Sequence, residues 1–587
     1  MNIDESDFTF VENLLLRNTT FNDQQKEFIR MFESKTIIAV PGAGKTTSLA
    51  AKIILLLKKL RETGSRDGVC VITYTNVAVK EINEILITAG LGTLSHPHFI
   101  GTIHEFFNTF CVLPYFKMNL KSNELFFSED DENGSLFYEK FIASRRPFLM
   151  DKKGVLRNIA KRIINSNLIV DDQYHYQLEN TSNWEEEKFL KYKNDMLAAK
   201  IERKEKGYLL YDDTFWFSKK FLSDPYCVKM IRNRFKYIFI DEYQDTSSIG
   251  IKLIYSLFNT QFNILQLIGD PYQTIYLKSG QLSFNTDNQF RLNLTNRFGK
   301  EIAQQLNIII PDAKIEVNTE RKSFKPVFLV YSELSEVYRA YKEIIKEHEG
   351  HSVEFKHSKN IDKVLVRYKK WTQILLEGSN YVNDHRVKMK TKTQQLKMII
   401  IDFFCRRIVP GTKNVTEIKR WINKHEKVRE LNSILLSFLK SGTSVEAKNN
   451  LRNWINERLK ERELSSININ NSLFTLIDVE LTIKDNLENI NTNPSSDFYT
   501  IHSVKGETLR SALIVNLKDG YLTDILLHKN NLITDANYND TEVHLLYVAM
   551  SRVTHLLVYA VHETEYMEKV HGKLSDWEIR WAGTQSL

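Results

Sequence analysis

Thr36-Ile37-Ile38-Ala39-Val40-Pro41-Gly42-Ala43-Gly44-Lys45-Thr46-Thr47 decides the fold of this 587-residue chain. An apolar β-branched run reads as a buried strand; it breaks at a glycine turn and opens into the apolar stretch 45–60, which predicts a helix. Strand, glycine turn and helix in that order form a phosphate cradle. Gly42, Ala43 and Gly44 bring backbone N–H groups around the β- and γ-phosphates of a nucleotide, and the helix N-terminus adds its dipole. Lys45 reaches the same oxygens, and Thr46, backed by Thr47, offers a hydroxyl to Mg²⁺. Where the common form of such a loop starts with glycine, this one has Ala39.

A second strand-like run, Tyr237-Ile238-Phe239-Ile240, ends in Asp241-Glu242-Tyr243-Gln244-Asp245. Alone, an acidic pair at a strand end is ordinarily solvated. Downstream of a phosphate loop it suits a hydrolytic site, with Asp241 on the metal and Glu242 polarising water. Further strand-like runs at 69–75 and 262–269 also end in polar clusters, and a later set follows at 498–501, 511–516 and 556–561. The alternation implies an α/β protein with parallel sheets and ligands at the strand C-terminal ends. Between the sets, 105–205 is rich in Phe, Lys and Asn with little strand signal, and 366–494 is charged and helical. Glu185–Lys193 and Leu451–Lys460 read as helices, and Asn489–Ser496 as a returning loop. No internal repeat is visible.

Composition sets wider bounds. The length suggests about three to five domains. Hydrophobic residues at 42% and charged ones at 26% describe an ordinary globular chain. The net charge of +7 permits polyanion binding without requiring it. Cys70, Cys111, Cys227 and Cys405 stand far apart, against a zinc or iron–sulfur module and in keeping with a reducing compartment. An acidic N-terminus, with no apolar run near the ~18 residues of a span, predicts a cytoplasmic protein without membrane contact.

Ordered clusters complete the pattern: Phe21-Asn22-Asp23-Gln24-Gln25, Ile72-Thr73-Tyr74-Thr75-Asn76, Gly101-Thr102-Ile103-His104, Gly269-Asp270-Pro271-Tyr272-Gln273, and Leu294-Thr295-Asn296-Arg297. Thr500-Ile501-His502-Ser503-Val504-Lys505-Gly506-Glu507 and Leu546–Arg552 follow. The set resembles the UvrD/Rep family of superfamily 1 DNA helicases over a little more than half of the chain. That resemblance implies two RecA-like parallel-sheet cores, each interrupted by a mostly helical insertion: core 1A at 1–104 and 206–290, insertion 1B at 105–205, core 2A at 291–365 and 495–587, and insertion 2B at 366–494. It further implies that Gln25 reads adenine and that Gly44, Lys45 and Thr46 bind ATP and Mg²⁺. Asp241 would hold the metal, Glu242 would be the base and Gln273 would sense the γ-phosphate. Arg297 and Arg552 would come from the second core to stabilise the transferring phosphoryl group, and Glu507 would touch the ribose. Tyr74 would stack on a base, while Asn76, Thr102, His104, Thr500 and His502 would hold a single strand by its backbone.

Two departures stand out. Asn296 replaces the family's aromatic before the first arginine, so that either base selectivity is relaxed or adenine stacking falls to Tyr276 or another ring, and Leu277-Lys278-Ser279-Gly280 lacks the family's base-stacking tryptophan. ATP hydrolysis is expected; unwinding competes with a nucleotide-switched DNA-sensing subunit that regulates a partner nuclease. Movement, if present, would run 3′→5′ along single-stranded DNA or from the tail of a duplex. A helicase–nuclease fusion is disfavoured because the motor motifs use both ends of the chain. Gly101–Phe107 and Val504–Thr508 also resemble UvrD-type proteins of anti-phage systems, in particular the Gabija helicase subunit, which implies an OLD-type ATPase–Toprim nuclease partner; DNA repair is the rival role. Arg145-Arg146 and Lys388–Lys392 are candidate DNA-tracking patches, although such charge runs are usually solvated faces.

Overall fold

A computed structural model describes residues 3–16, 19–120, 125–128, 134–170, 176–179, 185–258, 260–275, 288–378, 392–408, 422, 427–442, 444–461, 473–475, 477, 497–517, 522–531, 533, 538–572 and 575–583. Tyr276, the 277–280 segment, Lys388–Thr391 and the 489–496 loop lie outside the described residues. The architecture rests on two six-stranded, all-parallel sheets.

The first sheet holds β1 (Lys35–Ala39), β2 (Gly68–Thr73), β3 (Phe99–Thr102), β4 (Phe235–Ile240), β5 (Ile264–Gly269) and β6 (Gln289–Leu292). Their spatial order is β6-β1-β5-β4-β2-β3. The second holds β7 (Val327–Tyr331), β8 (Ile361–Val366), β9 (Phe498–Thr500), β10 (Leu509–Val515), β11 (Val553–His562) and β12 (Glu578–Trp581), in the order β12-β7-β11-β10-β8-β9. Raising each label of the first sheet by six reproduces the second. The chain therefore contains one topology twice, a repeat its residues do not display, because a buried strand needs only apolar bulk on both faces and not a particular sequence. Strand β6 runs through Leu292, across the expected core boundary at 290/291.

Helices position the strand ends. In α1 (Asp23–Arg30) Asn22 and Gln25 form a reciprocal cap, and α2 (Lys45–Glu62) starts at Gly44 without any side-chain cap. The uncapped N–H groups of α2 thus stay available to an anion. Lys52 of α2 is fully buried and donates to the carbonyls of Phe28 (2.7 Å) and Met31, fastening the end of α1 to α2. Thr75 caps α3 (Asn76–Thr88), and Thr102 with Glu105 caps α4 (Ile103–Phe107). In the second core, α5 (Lys300–Ile309) and α6 (Asp540–Ser551) contribute Ile302, Leu306, Leu546 and Tyr547 to one apolar cluster that continues through both sheets.

Val112–Lys220 and Asp384–Pro494 make up a second compact unit. Its helices Ser135–Arg145, Lys153–Asn165 and Glu186–Glu205 bury Tyr138, Ile142, Ile159 and Phe189, while Lys392–Ile408, Val428–Ser441 and Val445–Glu461 bury Leu396, Phe404, Leu435 and Trp454. The insertion read as nearly strand-free also carries an antiparallel pair, Asn167–Val170 with Tyr176–Glu179. Arg146 Nε lies 2.7 Å and Arg145 3.6 Å from Asp195, so this carboxylate offsets part of the charge of the proposed basic patch.

Candidate functional site

The loop after β1 bends through Gly42 (φ +80°) and Gly44 (φ +76°), both in the left-handed region where a side chain is strained. A Cβ on Gly44 would also lie 2.5 Å from Gln25 Nε2. Gln25 is held by protein at both amide atoms: Oε1 accepts the Asn22 N–H (3.0 Å) and Nε2 donates to the Ala43 carbonyl (2.9 Å). Thr46 and Thr47 sit half-buried in the first turn of α2.

Lys45 Nζ lies 2.5 Å from Glu242 Oε1 and 3.3 Å from Asp241 Oδ1. Asp241 ends β4 at 2% exposure, and its Oδ1 accepts no hydrogen bond. Glu242 takes φ +50°, rare for a non-glycine residue, and this backbone turn directs its carboxylate back to Lys45. Gln244 Nε2 donates to its other oxygen at 2.5 Å. Burial works to raise the Glu242 pKa, but the charge and hydrogen bond of Lys45 prevail and hold it at about 2. For Asp241 burial prevails over Lys45, and its pKa is raised. Burial would lower Lys45, yet the two carboxylates push its pKa above the ordinary lysine range. The three groups form a triad with one excess negative charge.

The second core meets this triad at two places. Beside the phosphate loop, Asn296 N–H donates to the Gly42 carbonyl (2.9 Å) and Thr295 Oγ1 to that of Pro41 (2.7 Å). A Cβ on Gly42 would fall 2.5 Å from both Arg297 Cβ and Thr295 Oγ1. Arg297 Nη1 donates to the Ser551 carbonyl (2.9 Å), and the next residue, Arg552, is 3% exposed at the end of α6. Burial, then the like charge of Arg552, depresses Arg297 to about 9; Glu242 attracts both guanidinium groups. Arg297 and Arg552 therefore share one electrostatic environment with the Glu242 carboxylate.

The second meeting place is the turn after β5. Arg552 Nη2 donates to Gln273 Oε1 (2.6 Å), and Gln273 Nε2 donates to Asp270 Oδ2 (2.8 Å). The Asp270 N–H in turn donates to Gln244 Oε1 (3.2 Å). A hydrogen-bonded path thus runs from Glu242 through Gln244, Asp270 and Gln273 to Arg552. Burial raises Asp270 to about 6. Lys505 Nζ bridges Asp245 Oδ1 and the Gln273 carbonyl, each at 2.6 Å. Gln244, Asp245, Asp270 and Lys505 stand within the sequence motifs without an expected role of their own; their signal is polar residues set against apolar strand ends.

Not every candidate joins the cluster. Glu507 pairs with Lys363 Nζ at 2.5 Å. Next to the loop a cavity of about 590 Å³ is lined by Gly42, Asn296, Arg297, Arg321, Thr508 and His555 among others, with no Phe, Tyr or Trp among its described lining. Tyr74 and Asn76 stand exposed just beyond β2; alongside, Thr102 ends β3 and His104 follows it. Thr500 ends β9 and His502 follows it. Thr102 and Thr500 both use their hydroxyls to cap the turns they start, accepting from Glu105 and Ser503 N–H groups. Burial lowers the His502 pKa.

Comparison with known proteins agrees with this geometry. Residues 21–283 match the UvrD/REP helicase N-terminal domain. A probable DNA helicase II homolog of Mycoplasma capricolum is 28% identical over 387 residues, covering 62% of this chain and 50% of the relative. The ATP-dependent DNA helicase Rep of Buchnera aphidicola is 29% identical over 263 residues, 44% of this chain and 36% of Rep. The ATP-dependent DNA helicase PcrA of Staphylococcus epidermidis is 27% identical over 333 residues, 53% of this chain and 41% of PcrA. The chain thus matches half or less of the length of each. Among the described residues no helix is long and apolar enough to cross a membrane. Residues 21–283 thus match a UvrD/REP helicase N-terminal domain, and a second core of the same strand order follows it.

Proposed function

We propose that the protein is an ATP-dependent DNA helicase or translocase that couples hydrolysis between its two cores to movement on single-stranded DNA, 3′→5′, in the cytoplasm. The observation that carries this reading is the Arg552–Gln273 contact at 2.6 Å, which joins the second core to the hydrogen-bonded path leading to Glu242. On binding, the triphosphate takes Lys45 from Glu242. That exchange frees the carboxylate, whose pKa near 2 beside Lys45 makes it a weak base, to accept the proton of the attacking water. The water oxygen bonds to the γ-phosphorus as the bond to the β–γ bridging oxygen breaks, and Arg297 and Arg552 stabilise the charge on the departing groups. Mg²⁺ would be held by Thr46 and Asp241, whose buried Oδ1 has a lone pair without a hydrogen bond; the ion would neutralise phosphate oxygens. Loss of the γ-phosphate removes what both cores grip, and this two-state change would drive the strand contacts.

ATP turnover with and without single-stranded DNA, alongside displacement of a tailed duplex, tests the reading. DNA-stimulated turnover with strand displacement is expected. Absent hydrolysis overturns the proposal, and stimulation without displacement replaces it with the nucleotide-switched sensor. Glu242→Gln should bind ATP without hydrolysing it. A role in anti-phage defence beside an OLD-type Toprim nuclease is the narrower form of the proposal. It is supported by the wording of Gly101–Phe107 and Val504–Thr508, and co-purification of a nuclease subunit tests it.

A further inference from the structure

The duplicated topology pairs residues that the sequence does not. In the first sheet Thr73, the end of β2, lies in register with Thr102, which opens Thr102-Ile103-His104. In the second, Val366, the end of β8, lies in register with Thr500, which opens Thr500-Ile501-His502. The equivalent strand ends thus carry the same tripeptide. They also carry a tyrosine each: Tyr74 directly after β2, 41% exposed, and Tyr368 two residues after β8, 40% exposed.

Tyr368 borders a recess of about 270 Å³ lined by Arg367, His502, Asn539, Thr541, Glu542 and Leu545 as well. Its ring is supported edge-on by the buried Trp371, with centroids 5.0 Å apart at 87°. The Arg367 guanidinium, hydrogen-bonded to Glu542, stands 4.8 Å from the ring centroid, and Lys370 Nζ stands 5.7 Å away. The site therefore combines an ordered, exposed aromatic with nearby cations and polar edges at the C-terminal end of a parallel sheet, where ligands of α/β folds bind. The recess is smaller than the roughly 300–1,000 Å³ of drug-sized ligand pockets, a size suited to one ring system.

We infer that Tyr368 is a base-stacking platform of the second core, receiving one unstacked base of single-stranded DNA in the recess beside His502. This inference rests on the DNA-binding part of the proposed function.

Fluorescence anisotropy with a labelled oligothymidylate tests it. Tyr368→Ala should bind between about 5-fold and 100-fold more weakly, the range for loss of one stacked base, whereas Tyr368→Trp should bind within about twofold of the parent. Thr541→Trp, which fills the recess from its exposed rim, should weaken binding like Tyr368→Ala while leaving the platform intact. An abasic residue moved stepwise along the strand should find one position where parent and Tyr368→Ala bind equally. Parent-like binding by both Tyr368→Ala and Thr541→Trp, or no equalising abasic position, overturns the inference alone. A parent protein that does not bind the oligonucleotide overturns the DNA-binding reading and the inference together.

Discussion

The two sheets share a strand order but carry different equipment on it. After β1 the first core builds Pro41–Lys45, a glycine loop opening an uncapped helix; after β7 the second builds Ser332-Glu333-Leu334, with the Ser332 hydroxyl donating to Glu563. After β4 stand Asp241 and Glu242; after β10 stands Asn516, its amide spent on Thr523. At the third strand the cores agree, in Thr-Ile-His. The insertions leave at different crossovers, between β3 and β4 in the first core and between β8 and β9 in the second. One strand order thus carries unequal equipment: the glycine loop and the acidic pair stand on the first sheet, Arg297 and Arg552 belong to the second core, and the paired strand ends are alike.

The sharpest break of that asymmetry is Lys45→Ala. It removes the cation from a triad holding two carboxylates, and ATP turnover should fall by more than about 10⁴-fold. Ser332→Ala, at the matching strand end, should leave turnover within about twofold. Next in size is Arg552→Ala, with a fall in kcat of about 10³-fold while ATP still binds, as measured by turnover beside a fluorescent-nucleotide titration. Retained turnover would mean that the second core does not serve the first.

A pH measurement isolates Asp270, the acid between the cores. Its folded pKa of about 6 lies above the ordinary 3.8, so the folded protein holds this proton longer than the unfolded chain. Stability therefore falls as pH rises between those two values, by up to about 3 kcal/mol from this residue. Urea unfolding of the parent against Asp270→Asn across pH 4–6.5 should show the difference; parallel curves would remove Asp270 from the account. The smallest effect compares the shared ends. Thr102→Ala and Thr500→Ala each delete a cap and should each cost about 1 kcal/mol in thermal unfolding.

The first core was the legible one. Its strands at 36–40, 69–75 and 236–241 correspond closely to β1, β2 and β4, because each is an unbroken apolar run ending at a motif. Strands β7, β8 and β12 are not evident in the sequence: Val327–Tyr331 is as apolar as β1 but leads into no phosphate loop that would mark it. The short edge strands β3 and β6 have only half-buried faces and a weak pattern. The triad could be anticipated from residue types, since acid, lysine and glycine are tied to one chemistry. The Lys505 bridge and the role of Gln244 could not, because both depend on register between elements far apart in the chain. Tyr368 was hidden for the same reason; only the superposable strand order sets it against Tyr74.

Gly42 has a mechanical consequence. Hydrogen alone separates the Gly42 turn from the Cβ of Arg297 and the hydroxyl of Thr295, and a methyl group there would have nowhere to go. With so little clearance, a shift of the loop has to be followed by the segment that carries Arg297.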